Sequence, residues 1–178
     1  MKKQHTLFTL FFFTTSLFAQ ENWNQQIDDK LPQVISSHRT FVSIPNLPSD
    51  IQNMYKNVAW VKKHYREVGF ELKTLESSTL PVLFAERIIN PAFKTLLFYF
   101  HLDGQAVNPK SWDQKDPFQP VLKEQNEAGQ WDEIAWSRVD EKMKDDWRIF
   151  GRAAADDKAP ILMFLSALEL LQSAKQTP

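Results

Sequence analysis

The sequence predicts an α/β domain in which helices and strands stack as layers, helix on sheet on helix. Two amphipathic helical segments come first, extended segments follow, and a strongly apolar helical segment lies close to the end of the 178 residues. Helices and strands that succeed each other in this way bury their apolar faces against one another. Cysteine is absent and aromatic residues make up 13% of the chain, so we expect a packed core without disulfide bonds.

The first two helices are predicted from apolar spacing. The first occupies residues 22–40, although Pro32 leaves open a start close to that residue. Its apolar residues are Ile27, Leu31, Val34 and Ile35. The second begins at Ser49 or Asp50, either of which can cap it, and runs to about Glu67. Its apolar stripe is Ile51, Met54, Val58, Val61 and Tyr65.

Three extended segments follow the helices. Residues 70–75 alternate between polar and apolar side chains, as a half-exposed strand does, and residues 81–89 form the second segment. Residues 95–101 are apolar up to the final histidine, which predicts a fully buried central strand. Asn90 and Pro91 make the turn between the last two segments.

A long loop is predicted over residues 104–146, which are rich in Pro, Trp, Asp, Gln and Lys. We expect it to carry a hairpin or a short helix, with residues 131–136 and 139–143 as its ordered parts. Residues 147–150 predict a short strand that ends at Gly151.

Residues 1–19 have the features of a secretory signal: a basic start at Lys2 and Lys3, an apolar run, and Ala19 at the cleavage point. A membrane anchor is the alternative, but the apolar run is too short to span a bilayer. We therefore expect a secreted or periplasmic protein with no membrane span after cleavage. The formal net charge of −1 argues against a nucleic-acid partner, which calls for a basic surface.

His101 and Asp103 are the first candidate site residues. The predicted strand would deliver His101 to a strand end, where α/β proteins gather their sites. Imidazole is a common zinc ligand, and a carboxylate two residues on, at Asp103, can fix its orientation. The alternative is a histidine that makes an ordinary hydrogen bond in the core.

Asp156 and Asp157 are the second candidates. They precede a predicted helix that has Pro160 at its first position and runs to about Ser173. Two carboxylates there can cap the helix, since negative charge is favoured at a helix N-terminus. Alternatively, one of them binds a divalent metal through its two oxygens. Lys158 is expected to be an ordinary solvated lysine.

In their order along the chain, these pieces resemble a known family. The series is His101-Leu102-Asp103, Trp112-Asp113, Asp116-Pro117-Phe118, Gly151-Arg152 and Asp156-Asp157-Lys158. It resembles the N-terminal part of the co-catalytic zinc peptidases that include carnosinase-like dipeptidases, aminoacylases and glutamate carboxypeptidases. The resemblance covers roughly residues 25–175 and implies a layered catalytic domain of the zinc-peptidase type.

The resemblance also implies roles for individual residues. His101 would bind one zinc ion, and Asp103 would be the catalytic-site carboxylate that orients it. Asp156 would bridge two Zn²⁺ ions and be joined to Asp157 by a cis peptide bond. Such an enzyme hydrolyses the amide bond of a peptide or an N-acyl amino acid with a zinc-activated water.

The pattern departs from the family in ways that bear on activity. Phe100, Ala153 and Ala159 stand where the family commonly has glycine. The family's general-base Glu, its remaining zinc ligands and its dimerisation domain lie further downstream, and none is found here. We therefore expect residues 20–178 to be the N-terminal portion of a catalytic domain, incomplete at the C-terminus and inactive alone. The alternative is a non-catalytic secreted binding module derived from such a peptidase.

Overall fold

A computed structural model describes residues 22–141 and 143–176 of the chain. The predicted signal segment, residues 1–19, lies outside the described residues. No helix within the described ranges combines the length and hydropathy needed to cross a membrane. The architecture mixes helices with two separate antiparallel sheets.

The two N-terminal helices form as predicted. Helix α1, Trp23–Val42, is continuous through Pro32, so the helix does not start there. Helix α2, Ile51–Glu67, is capped by Asp50, whose carboxylate accepts a hydrogen bond from the main-chain N–H of Asn53 at 3.1 Å.

Strands β1, Glu71–Leu75, and β2, Val82–Glu86, pair in an antiparallel hairpin, in which Leu72 is the partner of Ala85. Leu72 and Leu83 point inward and pack against the helical core. On the other face, Leu75, Val82 and Phe84 are exposed. The described helices therefore cover one face of this sheet.

The long loop contains more regular structure than expected. Strands β3, Val121–Gln125, and β4, Trp131–Ile134, form a hairpin, and β5, Arg148–Phe150, pairs with the other edge of β3. The predicted hairpin and the predicted strand that ends at Gly151 are thus both present. Short 3₁₀ helices occupy Pro109–Ser111 and Trp136–Asp140.

Helix α3, Lys158–Ser173, ends where the sequence predicted but begins two residues before Pro160, which lies within its first turn. The main core lies where α1, α2 and α3 meet. Its buried members are Phe41, Val61, Tyr65, Val68, Ile161, Leu162, Leu165 and Leu168. A smaller cluster of Leu122, Val139 and Trp147 lies under the β3–β5 sheet and the second 3₁₀ helix.

The prediction of a buried central strand over residues 95–101 is wrong for the described chain. The segment forms no strand, and Leu97 and Tyr99 are 89% and 85% exposed. Phe98 and Phe100 contact Phe164 of α3, with ring centroids 4.4 Å and 5.8 Å apart. The physical reason is that one side of the segment lies on α3, while no described strand pairs with it and nothing described covers its other side.

Candidate metal centre

The structure brings together the two predicted ligand residues, which lie 55 positions apart in the chain. His101 follows the extended segment described above, and Asp156 lies in the turn before α3. The Nε2 atom of His101 is 2.9 Å from the Oδ1 atom of Asp156. The peptide bond between Asp156 and Asp157 is cis, as the family resemblance implied.

Asp103 orients the His101 ring mainly through its main chain. The Nδ1 atom of His101 is 2.8 Å from the carbonyl oxygen of Asp103 and 3.7 Å from its carboxylate Oδ1. We expected the carboxylate in this role. The carbonyl is the nearer acceptor. A carbonyl fixes the ring as effectively as a carboxylate, since either accepts the Nδ1 proton.

Asp157 occupies the helix N-cap position, but its side chain makes no capping hydrogen bond. Its Oδ2 atom instead accepts a hydrogen bond from the main-chain N–H of His101 at 3.1 Å. The two neighbouring carboxylates therefore contact the same histidine at different atoms. This second connection was not expected from the sequence, where capping was the alternative function of the pair.

The contacts of His101 determine its protonation. A neutral imidazole has one N–H and one lone pair, yet both ring nitrogens here face oxygen atoms that only accept. Partial burial alone would lower the pKa of His101. The hydrogen bonds to Asp103 and Asp156 and the charges of Asp157 and Asp156 outweigh it, so the pKa is raised above its ordinary value.

The donor set is compatible with a divalent metal but small. When Nδ1 carries the single proton of a neutral His101 and donates it to Asp103, Nε2 has a lone pair free for a metal ion beside Asp156, whose side chain is 86% exposed. Imidazole nitrogen and carboxylate oxygen are both ordinary zinc ligands. Within the described part of the chain, however, no group of three or more His, Asp or Glu side chains is placed to hold a metal ion.

Lys158 differs from its prediction as a solvated lysine, since its side chain is fully buried. The Nζ atom donates to the carbonyl oxygens of Phe41 at 2.7 Å and Ile44 at 2.6 Å. Burial lowers the pKa of Lys158 to about 7. The lysine therefore ties the start of α3 to the C-terminal end of α1, where helix carbonyls lack intrahelical donors.

His38, near the end of α1, is buried. Its Nε2 atom is 2.8 Å from the carbonyl oxygen of Ala154, in the turn that leads to Asp156. Burial lowers its pKa, the hydrogen bond to Ala154 acts against this shift, and the charge of Lys158 adds to it. Its position four residues before Val42, at the end of α1, was the only sequence signal of this contact.

Comparisons with known proteins identify dipeptidases as relatives. The Cys-Gly metallodipeptidase dug1 of Schizosaccharomyces pombe is 27% identical over 80% of this chain and 28% of its own length. The di-peptidase Dug1p from Saccharomyces cerevisiae has a TM-score of 0.63 and 22% identity, and human carnosine dipeptidase 1 has a TM-score of 0.65 and 20% identity. Each of these structural matches covers 86% of this chain and 31% of the other.

The chain is thus similar in sequence to a metallodipeptidase and in fold to two dipeptidases. The resemblance predicted from the ordered motifs is thereby confirmed, as is the predicted α/β fold class. No protein-family model matches the chain. The chain spans less than a third of the length of the relatives it matches.

Proposed function

We propose that this chain supplies the first part of a secreted or periplasmic metallopeptidase that hydrolyses the amide bond of a dipeptide or an N-acyl amino acid. The observation that carries the proposal is the 2.9 Å approach of His101 to Asp156 in a chain related to metallodipeptidases. These residues come from distant segments, and both carry side chains that bind zinc.

In the proposed site, His101 and Asp156 would hold divalent metal, Zn²⁺ by family resemblance, with two ions in the complete site. A bound ion of this kind lowers the pKa of a water ligand and polarises the scissile carbonyl. Asp103 keeps the proton on Nδ1 of His101, which leaves Nε2 available for the metal. Asp156 has two carboxylate oxygens and can therefore contact both ions.

The chain lacks a candidate for the general base. After Asp157 the one acidic residue is Glu169, whose carboxylate makes a salt bridge with Lys30 at 2.7 Å. A catalytic zinc site has three protein ligands and needs a nearby group to accept the proton of its water. With two ligands and no assigned general base, the 178 residues are expected to be inactive alone.

Export is part of the proposal, and its support is the signal-like composition of residues 1–19. When the chain is expressed in a host with a secretory pathway, the mature product should begin at Gln20. Intact mass measurement of the exported protein checks this. Retention of the first 19 residues in the cell-associated product would contradict it.

Zinc titration of the purified chain tests the metal site. We expect weak binding, because only two ligands are present, and no hydrolysis of dipeptides or N-acyl amino acids. His101→Ala and Asp156→Asn should each weaken binding at least about tenfold, since loss of an outer-sphere partner alone costs that much. Calorimetry measures the affinity.

Asp145→Asn is the matched control, because Asp145 belongs to another Asp-Asp pair of the chain and should leave zinc affinity unchanged. Equal affinities for all variants would refute the metal site. Robust zinc-dependent hydrolysis by the pure chain, lost in His101→Ala, would refute its incompleteness. A zinc-independent monomer whose tryptophan fluorescence responds to sugars or peptides would instead favour the binding-module alternative.

A further inference from the structure

The C-terminal end of α1 and the segment that joins it to α2, residues 43–50, contact both chain segments of the candidate metal centre. One segment carries Asp156 and the other carries His101. On the Asp156 side, Ile44 accepts a hydrogen bond from Lys158, and His38 contacts Ala154. We call residues 43–50 the connector. Its contacts with the His101 side depend on one residue, Asn46.

Asn46 is fully buried and bonds on both sides of Asp103. Its side-chain Nδ2 donates to the carbonyl oxygen of Leu102 at 2.8 Å, and its own carbonyl accepts from the N–H of Gly104 at 2.8 Å. The residue between them, Asp103, provides the carbonyl that accepts from Nδ1 of His101. Asn46 therefore holds the peptide units that set the direction of this carbonyl.

The contact with Asn46 requires glycine at position 104. A Cβ atom there would lie 2.8 Å from both the Nδ2 and Oδ1 atoms of Asn46 and 3.1 Å from its Cγ. Such distances are shorter than van der Waals contact, so any larger residue would displace the Asn46 side chain from the peptide units of residues 102–104. The pair of Asn46 and Gly104 is thus sterically matched.

The connector is itself anchored on α2. Asn57, also fully buried, donates from Nδ2 to the carbonyl oxygens of Pro45 and Asn53, each at 2.8 Å. The position of Asn46 therefore follows from helix α2, and not from the exposed segment before His101. Buried hydrogen bonds of this kind restrict a loop to one conformation.

We infer that Asn46 is a positioning residue for the metal centre. By holding the peptide units of residues 102–104, it keeps the Asp103 carbonyl against Nδ1 of His101, so that Nε2 is directed at Asp156. This inference rests on the proposed function for its importance, but its geometry is independent of catalysis. Asn46 acts through His101 and does not itself bind metal.

The Nδ1 proton of His101 is the measurement that tests the inference, because the stability of the fold alone does not protect it from exchange. In the ¹⁵N-labelled, metal-free chain at a pH where the ring is protonated, the bond to the Asp103 carbonyl should slow exchange of the Nδ1 proton and give it its own ¹H–¹⁵N signal. Asn46→Ala removes the donor to Leu102 and should lose this signal to solvent exchange. Should Asn46→Ala fail to fold, Asn46→Ser removes the same amide donor and keeps a polar group at the position.

Tyr65→Phe is the control for stability. It removes a buried hydrogen bond to the carbonyl of Ile161, 2.9 Å long, in the core and away from the site. It should lower stability and leave the His101 Nδ1 signal unchanged. An unaltered Nδ1 signal in Asn46→Ala, or an equal loss in Tyr65→Phe, would overturn the inference.

Gly104→Ala provides a second test through the steric match. It should also lose the protected Nδ1 proton signal, and adding it to Asn46→Ala should have no further effect, since the atoms it would strike are gone. Additive effects in the double variant would contradict the proposed contact. Because the spectra need neither metal nor hydrolysis, failure here is distinguishable from failure of the proposed peptidase function.

Discussion

Replacing Lys158 with alanine is expected to lower the free energy of unfolding by about 2–5 kcal/mol, as truncation of a large buried side chain does. The ammonium group is buried, and its loss leaves the carbonyl oxygen of Ile44 without this donor, while that of Phe41 keeps the N–H of Ile44 at 3.2 Å. Each buried polar group left unpaired costs about 1–3 kcal/mol, and the missing side chain adds a cavity. Because Lys158 follows Asp157 directly, its loss should also loosen the Asp156–Asp157 turn.

Lys158→Met separates these contributions, because methionine restores most of the volume without the donor. Its loss of stability should be smaller than that of Lys158→Ala. Lys63→Ala, at an exposed position of α2, is the matched control and should change stability by less than about 0.5 kcal/mol. Urea unfolding followed by circular dichroism measures all three. If Lys158→Ala costs no more than Lys63→Ala, the buried contacts of Lys158 contribute nothing to the fold.

The exposed apolar segment before His101 is expected to make the chain self-associate. Leu97 and Tyr99 are 89% and 85% exposed, in a stretch without any described strand partner. Unpaired extended backbone with apolar side chains favours edge-to-edge association. The double variant Leu97→Lys, Tyr99→Lys should shift the chain from oligomers towards monomer at equal concentration. Sedimentation velocity measures the distribution of sizes.

Phe98→Lys is the contrasting variant at the neighbouring position. Phe98 faces α3, where its ring contacts Phe164, so a lysine there should lower stability and leave the outward side chains able to associate. A monomeric, thermally stable unmodified chain would contradict the prediction. A Phe98→Lys variant that dissociates the oligomers as fully as the Leu97→Lys, Tyr99→Lys double variant does would also contradict it.

Much of the fold was predictable from local patterns. Helices α1, α2 and α3 and strands β1 and β2 lie close to their predicted positions. Their signals are interactions between sequence neighbours: apolar residues at helical spacing, alternation in strands, and Asp50 as a cap. Strand β3 was missed because it lies inside a polar segment whose register is set by pairing with β4 and β5.

The candidate site was predictable only as a list of residues. His101, Asp103 and Asp156 were identified from motifs, and the ligand roles proposed for them remain predictions. Their arrangement was not accessible, because the Asp103 carbonyl, rather than its carboxylate, is nearest Nδ1 of His101. That choice depends on the direction of one peptide unit, which residue types do not specify.

Which residues are buried is the property that the sequence alone does not predict here and that tertiary packing decides. The apolar composition of residues 95–101 indicates that these side chains favour burial. Whether they are buried depends on which other segments pack against them. Conversely, a charged residue such as Lys158 is buried only because the carbonyls at the end of α1, more than a hundred positions earlier, meet its ammonium group. Spacing and composition describe what a residue prefers near its neighbours in the chain, whereas its final environment is created by partners that folding brings from far away.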